Sequence, residues 1–135
     1  MIDQVNRNTA TYRDELGPYF DFALLSTEAI ARSTAADVAD LTDEERANPD
    51  LEAAIEQVRD GFAQTITGAL GLFETPGLTA DWLAQRLPAL KACRKTATSF
   101  LEPDIWVEIA GMANALAGLT ADPQIKKGLE EFGAS

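Results

Sequence analysis

A single thiol, Cys93, sits among Lys91, Arg94 and Lys95, and nearby cations are what a nucleophilic thiolate requires. Against that chemistry, Trp82, Ala89, Ala97 and Phe100 share its side at helical spacing, where a thiol packs as a small hydrophobe. Packing is the simpler reading; a Cys93-dependent enzyme is the minor one. The chain has no histidine, so the commonest general base near neutral pH and the commonest transition-metal ligand are both missing. Ser-His-Asp and Cys-His machinery is thereby excluded, and one thiol cannot supply a zinc site. No Gly-x-Gly-x-x-Gly follows a strand and no Gly-Lys-Ser/Thr loop occurs, which removes the signatures of nucleotide enzymes. We expect no catalytic residue, no metal and no cofactor.

Carboxylates are what remain. Glu52 and Glu56 lie one helical turn apart, as do Asp37 and Asp40, and Asp43, Glu44 and Glu45 run consecutively. A hard cation takes such ligands, yet no EF-hand spacing appears, and the Glu-x-x-His pair of di-iron bundles needs a histidine. Glu44 and Glu45 follow Thr42 in a first helical turn, where acids suit the dipole. A solvated acidic face is the expectation.

Charge is distributed unevenly. The 22 acids and 11 bases give a net −11, which disfavours phosphate backbones and anionic lipid, so neither nucleic acid nor membrane is expected as a partner. Residues 1–60 hold fourteen acids and five bases, whereas residues 61–135 hold eight and six. Arg86, Lys91, Arg94 and Lys95 fall within ten positions that contain no acid. Either they neutralise the acidic helices of the same molecule, or they face an anionic ligand, a second subunit or an acidic partner. Tyr19, Phe20 and Phe22 surround one helix and cannot all enter one core, so an interface aromatic is expected among them.

Helices must position these groups. The clearest runs over 50–73, where Leu51, Ile55, Val58, Phe62, Ile66, Leu70 and Phe73 recur at three- and four-residue steps, after Asn48-Pro49-Asp50 with Asp50 as the expected cap. Gly17-Pro18 separates a weaker helix over 3–16, loosely docked, from a second over 18–40. Thr79 opens a segment reaching Leu101, with a kink near Leu87 imposed by Pro88. A helix over 104–118 directs Ile105, Ile109, Met112, Ala113 and Leu116 inward, and Asp122-Pro123 opens a last one. Small residues at 61–71 and 110–118 predict that these two helices cross closely, since interior glycine costs about 1 kcal/mol relative to alanine. Gly-Leu-Thr-Ala-Asp occurs at 77–81 and at 118–122, read as one junction used twice, a helix stop followed by a threonine cap. Period-2 alternation and Asn-Gly or Asp-Gly turns are missing, so no sheet is expected.

At 135 residues the chain suits one domain spanning 1–135: an all-α compact bundle of five or six helices, mostly antiparallel because connections are short. No apolar run reaches membrane-spanning length, no leader is visible, and one cysteine forms no internal disulfide, so a cytoplasmic location is expected. Two function classes lead, with an enzyme using carboxylates and a divalent cation, or Cys93, as a minor third. One is a non-catalytic interaction protein: an adaptor, a chaperone-like or inhibitor-like subunit, or a homo-oligomer. The other is a bundle holding a small apolar or anionic ligand between helices.

Overall fold

The computed structural model describes the backbone of residues 2–134 and the side chains of residues 16–134. How the first seventeen residues dock lies largely outside the described side chains. The described residues are mostly helical, joined by short turns, with no strand among them.

Helix α1 runs unbroken from Ile2 to Ala39, with Pro18 inside it. The expected division at Gly17-Pro18 is corrected. Proline forfeits one ladder bond, but its fixed φ near −65° is itself helical, so a long helix carries it. One turn, α2 (Asp43–Arg46), follows. Thr42 accepts from the Glu45 amide at 3.2 Å and the Glu45 carboxylate accepts from the Thr42 amide at 3.0 Å, a reciprocal cap. Helix α3 (Pro49–Gly71) then returns along α1. Its cap is Asn48, accepting from the Asp50 amide at 3.0 Å, with Pro49 in the first turn. Asp50 is therefore not the cap.

A 3-10 turn over Leu72–Glu74 closes α3, and Gly77 at φ 86° reverses the chain, a conformation that favours glycine. Thr79 accepts from the Trp82 amide at 3.1 Å and starts α4 (Ala80–Ala84). Two breaks follow. The first, at Gln85-Arg86, precedes α5 (Leu87–Ala92) and leaves Pro88 in its first turn, where no amide is missed. The second, at Cys93, precedes α6 (Arg94–Phe100). Helix α7 (Pro103–Leu119) packs on α8 (Pro123–Phe132). Asp122 caps α8 by accepting from the Gln124 and Ile125 amides. The two Gly-Leu-Thr-Ala-Asp copies therefore differ: Gly77 turns the chain and Thr79 caps, whereas Gly118 stays helical and Asp122 caps.

Phe62, Ile66 and Leu70 of α3 are fully enclosed with Leu90, Ile109, Leu129 and Phe132. Helix α1 contributes a narrow ridge, Leu24 and Ala31, seven residues and two turns apart. Met112 is 41% exposed and so does not point inward as its spacing suggested. No described helix is long and apolar enough to cross a membrane.

Helices α3 and α7 do pack on one another, but not through their glycines. Ala113 and Ala117 face the interior, but a Cβ placed at Gly61, Gly68, Gly71, Gly111 or Gly118 meets nothing within 4 Å. Their penalty in helix propensity is thus uncompensated by packing in this fold. Gly61→Ala, Gly68→Ala and Gly111→Ala should each stabilise the protein by about 0.5–1 kcal/mol. Urea denaturation of the triple variant checks this; an unchanged midpoint would show that something occupies that surface.

Candidate functional site

The structure does not bring the four clustered bases into one surface. Arg86 is buried: its Nε lies 3.3 Å from an Asp21 carboxylate oxygen on α1, and its guanidinium stacks over Trp82 at 4.7 Å. Gly17 of α1 makes room for it, because a Cβ there would stand 1.9 Å from Arg86 Nη1. Burial pushes the Asp21 carboxyl above its ordinary pKa, and the Arg86 charge only partly opposes this. Lys91 pairs with Glu131 of α8 at 2.8 Å, which holds that carboxyl below the usual range. Arg94 donates to the Phe132 carbonyl at 3.2 Å and to the Ala134 carbonyl, placing a cation at the carbonyl end of α8. Lys95 is exposed and pairs with no described residue. Three of the four bases thus tie α1 and α8 to the centre of the bundle.

Arg59 plays the same part and was not singled out by its sequence context. It donates to the Phe100 carbonyl at 2.9 Å, closing the end of α6, stacks on the Phe100 ring at 4.9 Å and pairs with Glu56 at 2.6 Å. The signal was available: Arg59 follows Val58 at the edge of an apolar stripe, where an arginine stem runs along the core. Among the described residues, no group of three or more potential ligands is arranged to hold a metal ion.

Cys93 is fully buried, with Sγ 3.9 Å from the Leu24 carbonyl. Burial, with a smaller push from Glu28, drives its thiol pKa up to about 12. The neighbouring cations do not offset this, since Lys91 and Arg94 are directed to α8. A thiol in this state presents almost no thiolate at neutral pH. Native protein at pH 8 should therefore react with an alkylating reagent at least ~100-fold more slowly than unfolded protein. Mass spectrometry of a timed iodoacetamide reaction measures this; equal rates would show that the thiol is accessible.

The outward side of α1 has a different character. Tyr19 is 70% exposed, Phe22 71% and Ile30 57%; with Ser26 they follow helical spacing opposite Leu24 and Ala31. Phe20 turns the other way and meets Trp82 edge-on at 6.0 Å. Between Pro18 and Ala31 the only charged residues are Asp21 and Glu28. Asp21 faces Arg86, while Glu28 accepts from Thr96 at 2.8 Å and pairs with Arg32. The outward face of this stretch consequently carries no charge, in a chain of net −11.

The chain matches no family model, no curated protein and no solved structure.

Helix α7 exposes a shorter apolar stripe, Met112, Ala115 and Leu119, with no aromatic in it. Val107 lies on a different side of α7 from Met112 and Leu119. A groove of about 510 Å³ runs between the 3-10 turn, α7 and α8, walled by Phe73, Leu83, Leu119 and Ile125, with Glu74 and Thr120 as its polar side chains. No basic residue lines it.

Proposed function

We propose that this chain is a non-catalytic interaction protein whose docking surface is the outward face of α1. The observation that carries the reading is the uncharged stripe Tyr19, Phe22, Ser26 and Ile30, which leaves two large aromatics in water. Contiguous exposed apolar surface on a soluble domain marks an interaction site. Aromatic side chains dominate the energetics of such contacts. The lone thiol suits a reducing compartment, and we place the activity in the cytoplasm. Net negative charge argues for a protein partner over nucleic acid.

The test compares tagged wild-type protein with Phe22→Arg, both isolated from the native host. Phe22 is 71% exposed, so the variant should keep its helical dichroism and melt within about 2 °C of wild type. Whatever co-purifies with wild type, including untagged copies of the chain, should be lost. An identical set of co-purifying proteins would refute this surface.

The groove favours a second reading, a small ligand held between helices. Its walls are apolar and its polar groups are acceptors or a hydroxyl, so an apolar or amine-headed molecule fits and an anionic one does not. Thermal-shift measurements with an alkylamine and the matching alkyl carboxylate separate the two; no shift from either removes this reading.

A further inference from the structure

We infer that the occupant of the α1 face is a second copy of this chain, packed antiparallel about a twofold axis at Ser26. This rests on the outward face of α1 being an interaction surface. The order of side chains along the stripe is self-complementary under reversal about that centre. Ala23 of one copy meets Ala29 of the other, Phe22 meets Ile30, and Tyr19 meets Ser33. Small residues occupy the crossing, where two helix axes approach to about 8–10 Å. Bulky side chains lie outside it, each opposite a smaller partner. A twofold contact uses one patch twice, which is what such a reversible pattern provides.

Charge adds a smaller preference for the same direction. Asp37 and Asp40 continue the outward side of α1 beyond the stripe. A parallel pair would set each aspartate against its own copy. In the antiparallel pair the two Asp37 residues stand roughly 33 Å apart along the axis, several screening lengths at physiological salt, although the same register sets each opposite position 15 of the other copy, a glutamate.

The area is at the lower limit. At the exposures of Tyr19, Phe22 and Ile30, with the flanking alanines, each copy exposes at most roughly 500 Å² on this face. The pair covers no more than about 1,000 Å², the lower bound for a specific interface, so we expect a weak, reversible dimer, half-formed at roughly 10–100 µM. Because each copy carries net −11, its association should tighten as salt screens their repulsion. An interface driven by opposite charges would weaken instead.

Sedimentation equilibrium from 1 to 500 µM, at low and at high salt, is the measurement. We expect a monomer–dimer equilibrium that tightens with salt, and weakening of at least 100-fold in Phe22→Arg. Ser26→Cys should form an intermolecular disulfide under mild oxidation, whereas Asp37→Cys should not; buried Cys93 stays out of both reactions. A monomer at every concentration and salt would overturn the proposal. Crosslinking of Asp37→Cys alongside Ser26→Cys would overturn it too, by showing a parallel pair. If the dimer fails while Phe22→Arg still strips proteins in the host isolation, the face serves a different protein. If both fail, the interaction reading falls with it.

Discussion

Gly17→Ala should destabilise the protein by about 2 kcal/mol, although the same change at Gly68 stabilises it. Helix propensity alone favours alanine at both positions by up to about 1 kcal/mol. The difference is Arg86. A Cβ at position 17 would lie 1.9 Å from Nη1, 2.8 Å from Cζ and 3.0 Å from Nη2, so the guanidinium must move. It has nowhere to go without leaving Trp82 on one side or Asp21 on the other. Removing the arginine should reverse the sign: in an Arg86→Ala background, Gly17→Ala becomes stabilising. Chemical denaturation of the four proteins in this cycle gives the coupling directly. Gly17→Ala with wild-type stability would show that Arg86 is free to turn aside.

The same site separates charge from packing. Arg86 Nε and Nη1 are buried without a hydrogen-bond partner among the described residues, and Asp21 carries a raised pKa despite the nearby cation. Desolvation therefore outweighs the attraction at this pair, the usual balance for a buried ion pair. A carboxyl that binds its proton more tightly when folded makes the fold more stable as pH falls from the folded-state value towards about 4. Acidification through that window should strengthen this contribution, and Asp21→Asn should remove the dependence. Arg86 is held mainly by its stacking and by filling space between α1 and α4. Arg86→Met should accordingly stay within about 1 kcal/mol of wild type, while Arg86→Ala loses about 3.

These contacts explain what the sequence could express. Period and punctuation were legible: α3, α7 and α8 begin within a residue or two of their expected starts, because Asn48, Pro49, Asp122 and Pro123 act locally. Thr79 was legible as a cap for the same reason. Pro18 was misleading because its local meaning is ambiguous. The same ring that suits a first turn also fits a helix interior at the loss of one bond, and a sequence does not state which. The glycines misled in another way: spacing places Gly61 and Gly68 on a helix but not on its inner side. The basic cluster was visible as a cluster, yet its partners Asp21, Glu131 and the Phe132 carbonyl lie 38 to 65 residues away from Arg86, Lys91 and Arg94. Proximity in sequence was the wrong measure for them. Of the aromatic trio, only the rotation set by Leu24 and Ala31 decides that Phe20 turns to Trp82 while Tyr19 and Phe22 turn to water.

Two phenylalanines should divide stability from association. Phe132→Ala is expected to lower stability by about 3–5 kcal/mol, a large share of what a domain of this size possesses. Its ring is fully buried and meets Trp106 edge-on at 5.5 Å, and its carbonyl anchors Arg94 at 3.2 Å. Losing the ring leaves a cavity at the seam of α7 and α8 and loosens the arginine that closes α8. Trp106 fluorescence reports the site, so its emission should shift before global unfolding. Phe22→Ala removes the same ring from an exposed position, and at low micromolar concentration, below the range in which the proposed pair forms, it should alter stability by no more than about 0.5 kcal/mol. Raising the concentration should stabilise wild type and leave Phe22→Ala unchanged, since only a protein that pairs gains stability by mass action. Equal losses from both substitutions at low concentration would mean that Phe22 belongs to the core, and the docking face on α1 would have to be abandoned.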